Sequence, residues 1–298
     1  MNMIPCPDCD TENTQYIGLL PDVASFAGKH LDRPLSGGSL YSCNNCFLTF
    51  RSPRLPQSVY HNLYDNLHIK TWIQDESRQD QSLVLSYVRN HLKPGSRILD
   101  VGCYVGELLG RLGPEYEKFG VEINSAAATI AAERFKLTVW SELREIPIDS
   151  RFDAILAIDV VEHMSSPRQF IESLLQKLST NGLLILTTGD ADNPWWTRLG
   201  ARWWYCYFPE HISFISTRWL QYHSNRLGTT IMEAVRFRYK RRSLNWLLRA
   251  SLLAYAAFPT LHSKIAKAIN KARGHEGEVN PPGVGVSKDH LFVVLAKA

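Results

Sequence analysis

Short apolar runs bounded by polar residues recur along the second half of this 298-residue chain. Runs of this length are typical of buried strands, and they lie at Arg97–Val101, Phe119–Asn124, Thr229–Tyr239 and His290–Ala296. About 50 residues separate the last two runs, which predicts an insertion where two strands would otherwise pair closely. Before them, residues 217–228 predict a helix with Thr217 as its N-cap and a glycine at its end.

The first of these runs leads into a glycine-containing loop, Asp100-Val-Gly102-Cys-Tyr104-Val-Gly106. Glycine lets a backbone turn tightly and approach a ligand, and residues 107–112 predict a helix whose first amide groups face that ligand. A dinucleotide fingerprint would need glycines in the order Gly-x-Gly-x-x-Gly, which this loop lacks. A carbonyl or carboxylate group suits the loop better than a phosphate.

The second run closes on Glu122, about 20 residues beyond the loop, where an acid can accept hydrogen bonds from both hydroxyls of a ribose. Asp100, the glycine loop and Glu122 resemble motif I and the following acidic position of class I S-adenosylmethionine (SAM) methyltransferases. The resemblance continues through 152–159 and 182–188, which look like the fourth and fifth strands of that family.

The resemblance implies an α/β fold: a doubly wound, seven-stranded, Rossmann-like sheet with helices on both faces and an antiparallel last strand. It also implies SAM as cofactor. Many family members carry a further glycine where this chain has Tyr104, so we expect the Tyr104 ring to lie near the methionine end of SAM. The residues expected to contact the cofactor are Asp100, Gly102, Cys103, Tyr104, Gly106, Glu122, Ile123, Ser141 and Asp159.

Acids and histidines follow the fourth predicted strand as Asp159-Val-Val-Glu162-His163. In a helical turn their spacing places them on one face, at the edge where a doubly wound sheet binds ligands. The pattern is similar to Glu-x-x-Glu-His in ubiquinone-pathway O-methyltransferases and small-RNA 2′-O-methyltransferases, and His211 offers a later histidine. The resemblance implies a divalent cation such as Mg²⁺; a histidine base and a purely structural role are the alternatives.

Four of the six cysteines form two CxxC pairs, Cys6/Cys9 and Cys43/Cys46. Two such pairs can converge on one tetrahedral Zn²⁺, whereas a redox CxxC would explain only one of them. We therefore predict a small N-terminal zinc ribbon held by these four cysteines. Its pattern is similar to that of zinc-ribbon methyltransferases of bacterial glycan and secondary-metabolite pathways.

Two further segments carry unusual compositions. Residues 193–211 are dense in Trp and Tyr, which suits either stacking on a sugar or ring, or a hydrophobic lid over SAM. Residues 240–273 place an apolar helix between basic flanks. That helix could lie peripherally on the inner face of an anionic membrane, or it could pack as a hairpin on the sheet or on another subunit.

Composition is that of an ordinary globular protein, with 45% hydrophobic residues, 21% charged residues and a net charge of +4. The small charge makes nucleic acid a poor partner. Without a basic start, an apolar N-terminal run or a bilayer-length segment, we expect a cytoplasmic protein. The expected divisions are a zinc ribbon (1–60), a helical connector (61–95), a SAM methyltransferase core (96–239), an insertion (240–289) and the final strand (290–298).

These observations predict a SAM-dependent methyltransferase that methylates a hydroxyl of a sugar, a glycan intermediate or a similar small molecule. The residues expected to act on the acceptor are Asp159, Glu162, His163 and His211. One alternative is an RNA methyltransferase that binds RNA through the zinc ribbon. The other is a protein that binds SAM without catalysis.

Overall fold

The computed structural model describes residues 4–67, 78–240, 246–272 and 281–297. The strands are β1 (Thr14–Leu19), β2 (Val23–Phe26), β3 (Lys29–Leu35), β4 (Ser39–Cys43), β5 (Thr49–Ser52), β6 (Arg97–Val101), β7 (Glu117–Val121), β8 (Thr138–Trp140), β9 (Phe152–Ile158), β10 (Leu178–Gly189), β11 (Ser213–Phe214), β12 (Thr229–Phe237) and β13 (His290–Lys297). The α-helices are α1 (Gln57–Asp65), α2 (Asp80–His91), α3 (Glu107–Gly110), α4 (Ser125–Phe135), α5 (Pro167–Lys177), α6 (Pro194–Leu199), α7 (Thr217–Ser224), α8 (Trp246–Ala257) and α9 (Pro259–Ala272).

The central sheet has seven strands in the order β12-β13-β10-β9-β6-β7-β8. Strands β10, β9, β6, β7 and β8 run parallel, and β13 is antiparallel to both of its neighbours, β10 and β12. This arrangement confirms the predicted fold class. Because β13 enters the sheet between β12 and β10, the 50-residue insertion leaves and returns at one edge region of the sheet without breaking it.

Side chains from successive residues of β6 lie on opposite faces of the sheet, as the period of a strand requires. Leu99 packs in one buried cluster with residues of α5 and α7, such as Leu174 and Trp219. Ile98 packs in a second cluster with residues of α2 and α3, such as Val84 and Leu108. The two clusters explain why the parallel strands are apolar throughout, since helices cover both faces.

The N-terminal ribbon shares its sheet with the rest of the chain. Strand β4 pairs with β1 on one side and with β5 on the other, and β11, from far along the sequence, completes the sheet beside β5. Cys6, Cys43 and Cys46 are buried in the same cluster as Leu99. The predicted boundary at residue 60 falls within α1, so the division into 1–60 and 61–95 stays a prediction; residues 68–77 of that connector lie outside the described residues.

The part of the insertion that the structure describes contains two helices, α8 and α9. Leu252 and Tyr255 of α8 are buried against the aromatic segment that contains Trp203 and Trp204. No helix in the described ranges combines the length and the apolar composition that crossing a bilayer requires. The basic residues at 241, 242 and 273 lie outside the described residues.

Two predicted helices differ from those observed. The helix after the glycine loop ends at Gly110, earlier than predicted, because glycine disfavours helix and Gly113-Pro114 follows shortly afterwards. The N-cap of α7 is Ser216, whose hydroxyl accepts a hydrogen bond from the Trp219 amide at 3.2 Å, so the assignment of that cap to Thr217 was wrong. Both residues can cap a helix, and the extended backbone of Ser216 decides between them.

Candidate active site and cysteine cluster

The loop after β6 is held in its turn by backbone hydrogen bonds to the neighbouring strand. The amides of Gly102 and Cys103 donate to the Val121 carbonyl at 2.8 and 3.1 Å. Gly102 has φ +78°, and a Cβ there would lie 2.8 Å from the Val160 side chain. The position therefore requires glycine for both its backbone conformation and its space.

Glu122 holds the same loop from the end of β7. Its carboxylate accepts hydrogen bonds from the amides of Tyr104 and Asn124, each at 2.8 Å. Burial raises the pKa of Glu122, and these amides oppose that rise. Tyr104 has φ +50°, in the left-handed region that disfavours a bulky residue. The hydrogen bond from its amide to Glu122 therefore stabilises a strained turn.

Asp100 is buried with one carboxylate oxygen, Oδ1, that has no hydrogen-bond partner. Burial, together with the nearby Glu122 charge, raises the pKa of Asp100 to about 8. A buried acid without a partner is costly, and a cationic ligand in the glycine loop would supply the missing interaction. The amino and sulfonium groups of SAM are cations, so this residue fits that cofactor.

The other predicted cofactor residues are distributed around this loop. Cys103 is buried against Gly120, whereas Ile123 is partly buried between Glu122 and Asn124. Ser141 is exposed, and its hydroxyl donates to Glu145 at 2.6 Å. The structure thus brings Asp100, the glycine loop and Glu122 together, while Ser141 is engaged in a local contact.

Asp159 follows β9 with φ +55° and forms an ion pair with Arg78, whose Nη2 lies 2.7 Å from its Oδ2. Arg78 also pairs with the fully buried Asp80. Burial raises the pKa of Asp159 to about 7, and the Arg78 charge opposes the rise. Asp159 is therefore bound to a cation of the protein itself and lies outside the metal-capable group described next.

Glu162, His163 and His211 each offer a ligand atom, and these atoms lie within 4.8 Å of one another. A 3-10 turn at 161–163 contains Glu162 and His163, which are adjacent in the sequence. The Glu162 carboxylate is fully buried and accepts hydrogen bonds from the hydroxyls of Thr188, at 2.9 Å, and Tyr205. Glu162 therefore points into the site and does not cap the following helix.

The two histidines differ in how far their hydrogen bonds fix the position of the ring proton. Nδ1 of His163 lies 3.0 Å from the Glu210 carbonyl, and Nδ1 of His211 lies 3.0 Å from the Tyr205 carbonyl. Since a carbonyl oxygen only accepts, Nδ1 of His211 carries the proton and its Nε2 keeps a lone pair. Nδ1 of His163 also lies 2.9 Å from the Tyr64 hydroxyl, which can donate or accept, so both neutral tautomers of His163 satisfy its contacts. Burial lowers the pKa of both rings, which keeps them neutral near pH 7. Neutral imidazoles oriented in this way suit a base or a metal ligand.

Several residues of this site were not predicted from the sequence. The phenol of Tyr64, on α1, lies 2.9 Å from Nδ1 of His163. His290, at the start of β13, is buried beside Asp289, with 3.1 Å between its Nδ1 and Oδ1, and its Nε2 has no partner. The Asp289 charge raises the pKa of His290 against the effect of burial. The sequence gives no sign that His290 lies near this site; only the pairing of β13 with β10, which puts His290 opposite Gly189, shows it.

The aromatic segment at 193–211 is largely core. Trp196, Trp203, Trp204 and Tyr205 are all buried, and they pack together with Leu252 of α8. The segment therefore positions Tyr205 against Glu162, and its buried indole rings are already in contact with other protein side chains.

The four predicted cysteines of the ribbon converge, with all four sulfurs within 4.8 Å of one another. Sγ of Cys6 lies 3.5 Å from that of Cys46, and Sγ of Cys9 lies 3.6 Å from that of Cys43. Tetrahedral zinc with Zn–S bonds of about 2.3 Å places its sulfurs about 3.8 Å apart, whereas a disulfide requires about 2.05 Å. The residues present therefore fit zinc.

Asp8, which lies between Cys6 and Cys9 in the sequence, links the cysteine cluster to the core. Its side chain is buried. Its carboxylate accepts hydrogen bonds from the Trp219 indole at 2.9 Å and the Ser166 hydroxyl at 2.7 Å. Trp219 belongs to α7, on one face of the central sheet. One side of the ribbon is therefore occupied by the core.

Comparisons with known proteins agree with this geometry. Residues 76–234, more than half of the chain, match the methyltransferase domain family. A ubiquinone biosynthesis O-methyltransferase of Bradyrhizobium diazoefficiens is 36% identical over 103 residues, which cover 32% of this chain and 40% of that protein. The mitochondrial protein of that name from Mus musculus is 31% identical over 170 residues, covering 50% of this chain and 46% of that protein.

The chain thus spans less than half the length of these curated relatives. Among solved structures, magnesium protoporphyrin IX methyltransferase of Synechocystis with bound S-adenosylhomocysteine has a similar fold. The TM-score is 0.53 at 12% identity, covering 82% of this chain and 100% of that one.

Proposed function

The chain belongs to the methyltransferase domain family, and from this premise we propose that it is a SAM-dependent O-methyltransferase acting on a small-molecule hydroxyl. The observation that carries the proposal is the group Glu162, His163 and His211, whose ligand atoms lie within 4.8 Å of one another. The group follows β9, at the sheet edge where doubly wound folds bind their ligands. An acceptor hydroxyl needs a group there that takes up or stabilises its proton.

SAM supplies an electrophilic methyl group on a sulfonium. The protein's part is to bind that cation and to orient it, and Asp100 supports this because its Oδ1 is buried without a partner. Glu122 supports it as well, since it holds the loop at Tyr104 while keeping lone pairs for hydroxyls of a ribose.

Two mechanisms for the acceptor proton are supported by the same group. In the first, a ring nitrogen of His163 or Nε2 of His211 acts as general base, because both rings are neutral and each neutral imidazole has one nitrogen with a lone pair. In the second, Glu162, His163 and His211 would hold a divalent cation such as Mg²⁺, whose chemistry there would be to lower the pKa of an acceptor hydroxyl. The Nδ1–H bond of His211 to a backbone carbonyl is what a metal-binding histidine usually has.

The acceptor we favour is a sugar or a glycan intermediate. The similarity to ubiquinone biosynthesis O-methyltransferases supports a second class, the intermediates of ubiquinone biosynthesis. RNA is a third class. It is disfavoured because the net charge is only +4, and because Asp8 and the β5–β11 pairing place one side of the ribbon against the core.

For the ribbon we propose one structural zinc ion held by Cys6, Cys9, Cys43 and Cys46. A closed set of four thiolates leaves no open position for a substrate. The zinc would stabilise a small segment whose own hydrophobic core is limited.

The test is methyl transfer from labelled SAM to nucleotide sugars and lipid-linked glycans, to phenolic quinone precursors and to total RNA, each with Mg²⁺ or with EDTA. We expect label in a hydroxyl-bearing small molecule. Label confined to RNA would overturn the acceptor class. SAM binding with no transfer to any acceptor would favour the non-catalytic alternative.

His163→Gln and His211→Gln should lower kcat by about 100-fold or more with an unchanged Kd for SAM, because a positioned acid–base group contributes about that much. His91→Gln, at an exposed residue of α2, is the matched control and should retain full activity. Loss of transfer in EDTA that Mg²⁺ restores would select the metal mechanism. Transfer that is indifferent to EDTA would select the histidine base.

A further inference from the structure

The helix α9 presents apolar side chains to solvent along one face. Phe258, just before it, and Leu261, Ile265 and Ile269 within it are 66%, 57%, 52% and 46% exposed. Their spacing of three or four residues places them in one row, which we call the apolar stripe. An amphipathic helix of a globular protein normally turns such a row towards the core, so an outward row indicates an interaction surface.

The hairpin is fixed to the protein by its other side. Leu252 and Tyr255 of α8 are buried in the aromatic cluster, and the Tyr255 hydroxyl donates to the Arg202 carbonyl at 3.3 Å. The Ser251 hydroxyl and Nε2 of His262 lie 2.8 Å apart and link α8 to α9. With α8 anchored in this way, the apolar stripe faces away from the aromatic cluster.

The charged residues of the hairpin sequence have one sign. From residue 240 to residue 273 the sequence contains eight Lys and Arg and no Asp or Glu. Lys264 and Lys267, which flank Ile265, are exposed. This combination of a hydrophobic row and a cationic border is what the interface of an anionic bilayer attracts.

We propose that the α8–α9 hairpin docks on the surface of an anionic lipid bilayer, with the apolar stripe inserted and the lysines among the headgroups. With 14 residues, α9 is about 21 Å long, too short for a hydrocarbon core of about 30 Å, so it lies in the plane of the interface. A second copy of the chain fits less well, because a two-fold contact would bring identical cationic borders together.

The proposal also bears on the acceptor, and to that extent it rests on the proposed function. The hairpin packs on the segment that holds Tyr205 against Glu162. Docking there brings the site to the membrane surface, where a lipid-linked glycan or a quinone precursor would be found. The binding test below uses no SAM and no acceptor, so its failure is distinct from failure of the methyl-transfer proposal.

The experiment is co-sedimentation of the full chain with vesicles of phosphatidylcholine containing about 30% phosphatidylglycerol, compared with phosphatidylcholine alone, at low and high salt. We expect binding only to the anionic vesicles, weakened by salt because the headgroup attraction is screened. Ile265→Ser should weaken binding about tenfold, as expected for one buried aliphatic side chain. The double change Lys264→Gln and Lys267→Gln should weaken it about 25-fold, about fivefold for each cation.

Matched controls lie elsewhere on the surface. Ile148 is 79% exposed and Lys93 is exposed, so Ile148→Ser and Lys93→Gln should bind vesicles like the parent. Circular dichroism checks that each variant is folded. Absence of binding to anionic vesicles at low salt, or an equal loss in the controls, would overturn the proposal. A concentration-dependent dimer that Ile265→Ser abolishes, without vesicle binding, would assign the apolar stripe to a second copy.

Discussion

Replacing Asp100 by asparagine should stabilise the protein without ligand and weaken its binding of SAM. The carboxyl group is buried with Oδ1 unpartnered, and its pKa is raised from 3.8 to about 8. Because the raised pKa favours the protonated form, the contribution of Asp100 to stability is fully present below pH 3.8 and is lost as the pH rises through 8. Asparagine is neutral at every pH and avoids that loss.

The magnitude follows from the shift. At pH 7 Asp100 is protonated in the folded protein, whereas in the unfolded chain its pKa of 3.8 lies about 3.2 units below that pH. At about 1.36 kcal/mol per unit, keeping the proton lowers the free energy of unfolding by about 4 kcal/mol. At pH 5 the same reasoning gives about 1.6 kcal/mol. The stability gain of Asp100→Asn over the parent should therefore grow by at most about 3 kcal/mol between pH 5 and pH 7.

Urea denaturation of both proteins at pH 5, 6 and 7 measures this difference, with Asp149→Asn, at an exposed acid, as the matched control. Calorimetry should show SAM binding weakened at least about tenfold in Asp100→Asn, because a charge-assisted interaction with the cation is lost. A gain that does not depend on pH would refute the burial argument. Unchanged SAM affinity would refute the assignment of Asp100 to the cofactor.

Three further predictions concern other parts of the molecule. Tyr205→Phe removes the hydroxyl that donates to Glu162 and opposes the rise of the Glu162 pKa. Steady-state kinetics should show kcat reduced about tenfold with SAM affinity kept. An unchanged pH profile of kcat would contradict this role of Tyr205. Arg78→Gln leaves the buried Asp80 without its cation and should cost about 3–5 kcal/mol of unfolding free energy in urea, whereas a cost under about 1 kcal/mol would show that the pair is dispensable. Elemental analysis should find one zinc per chain in the parent and none in Cys43→Ser. The variant should also have a lower Tm for the whole protein, because the ribbon shares one hydrophobic core with the central sheet. Separate melting of the ribbon would contradict that shared core.

The parts of the site that could be predicted from sequence are those encoded over short spans. Asp100 and Gly102 lie on one strand and its loop, and the two CxxC pairs have the spacing that tetrahedral zinc sites use. Glu162 and His163 are adjacent in the sequence, and both lie in the turn at 161–163. Within each of these short segments, local backbone geometry fixes the arrangement.

The residues that were missed come from distant parts of the chain. Arg78 reaches Asp159 across 81 positions, and His290 arrives beside Gly189 through the pairing of β13 with β10. No spacing rule connects such positions, because sheet order brings them together. The pairing of Asp159 with Arg78 also explains why that acid, although expected beside Glu162, lies outside the metal-capable group.

Tyr205 links the two proposals physically. Its hydroxyl donates to Glu162 within the candidate active site, and its ring packs in the cluster that anchors Tyr255 of α8. A displacement of the hairpin would therefore be transmitted to the carboxylate through packed side chains, since a core without voids cannot absorb it locally. The apolar stripe lies on the surface of the hairpin, away from the aromatic cluster. Membrane docking and proton transfer are thus separable by substitution at Ile265, which touches only the surface, and coupled at Tyr255, which lies between the surface and the site.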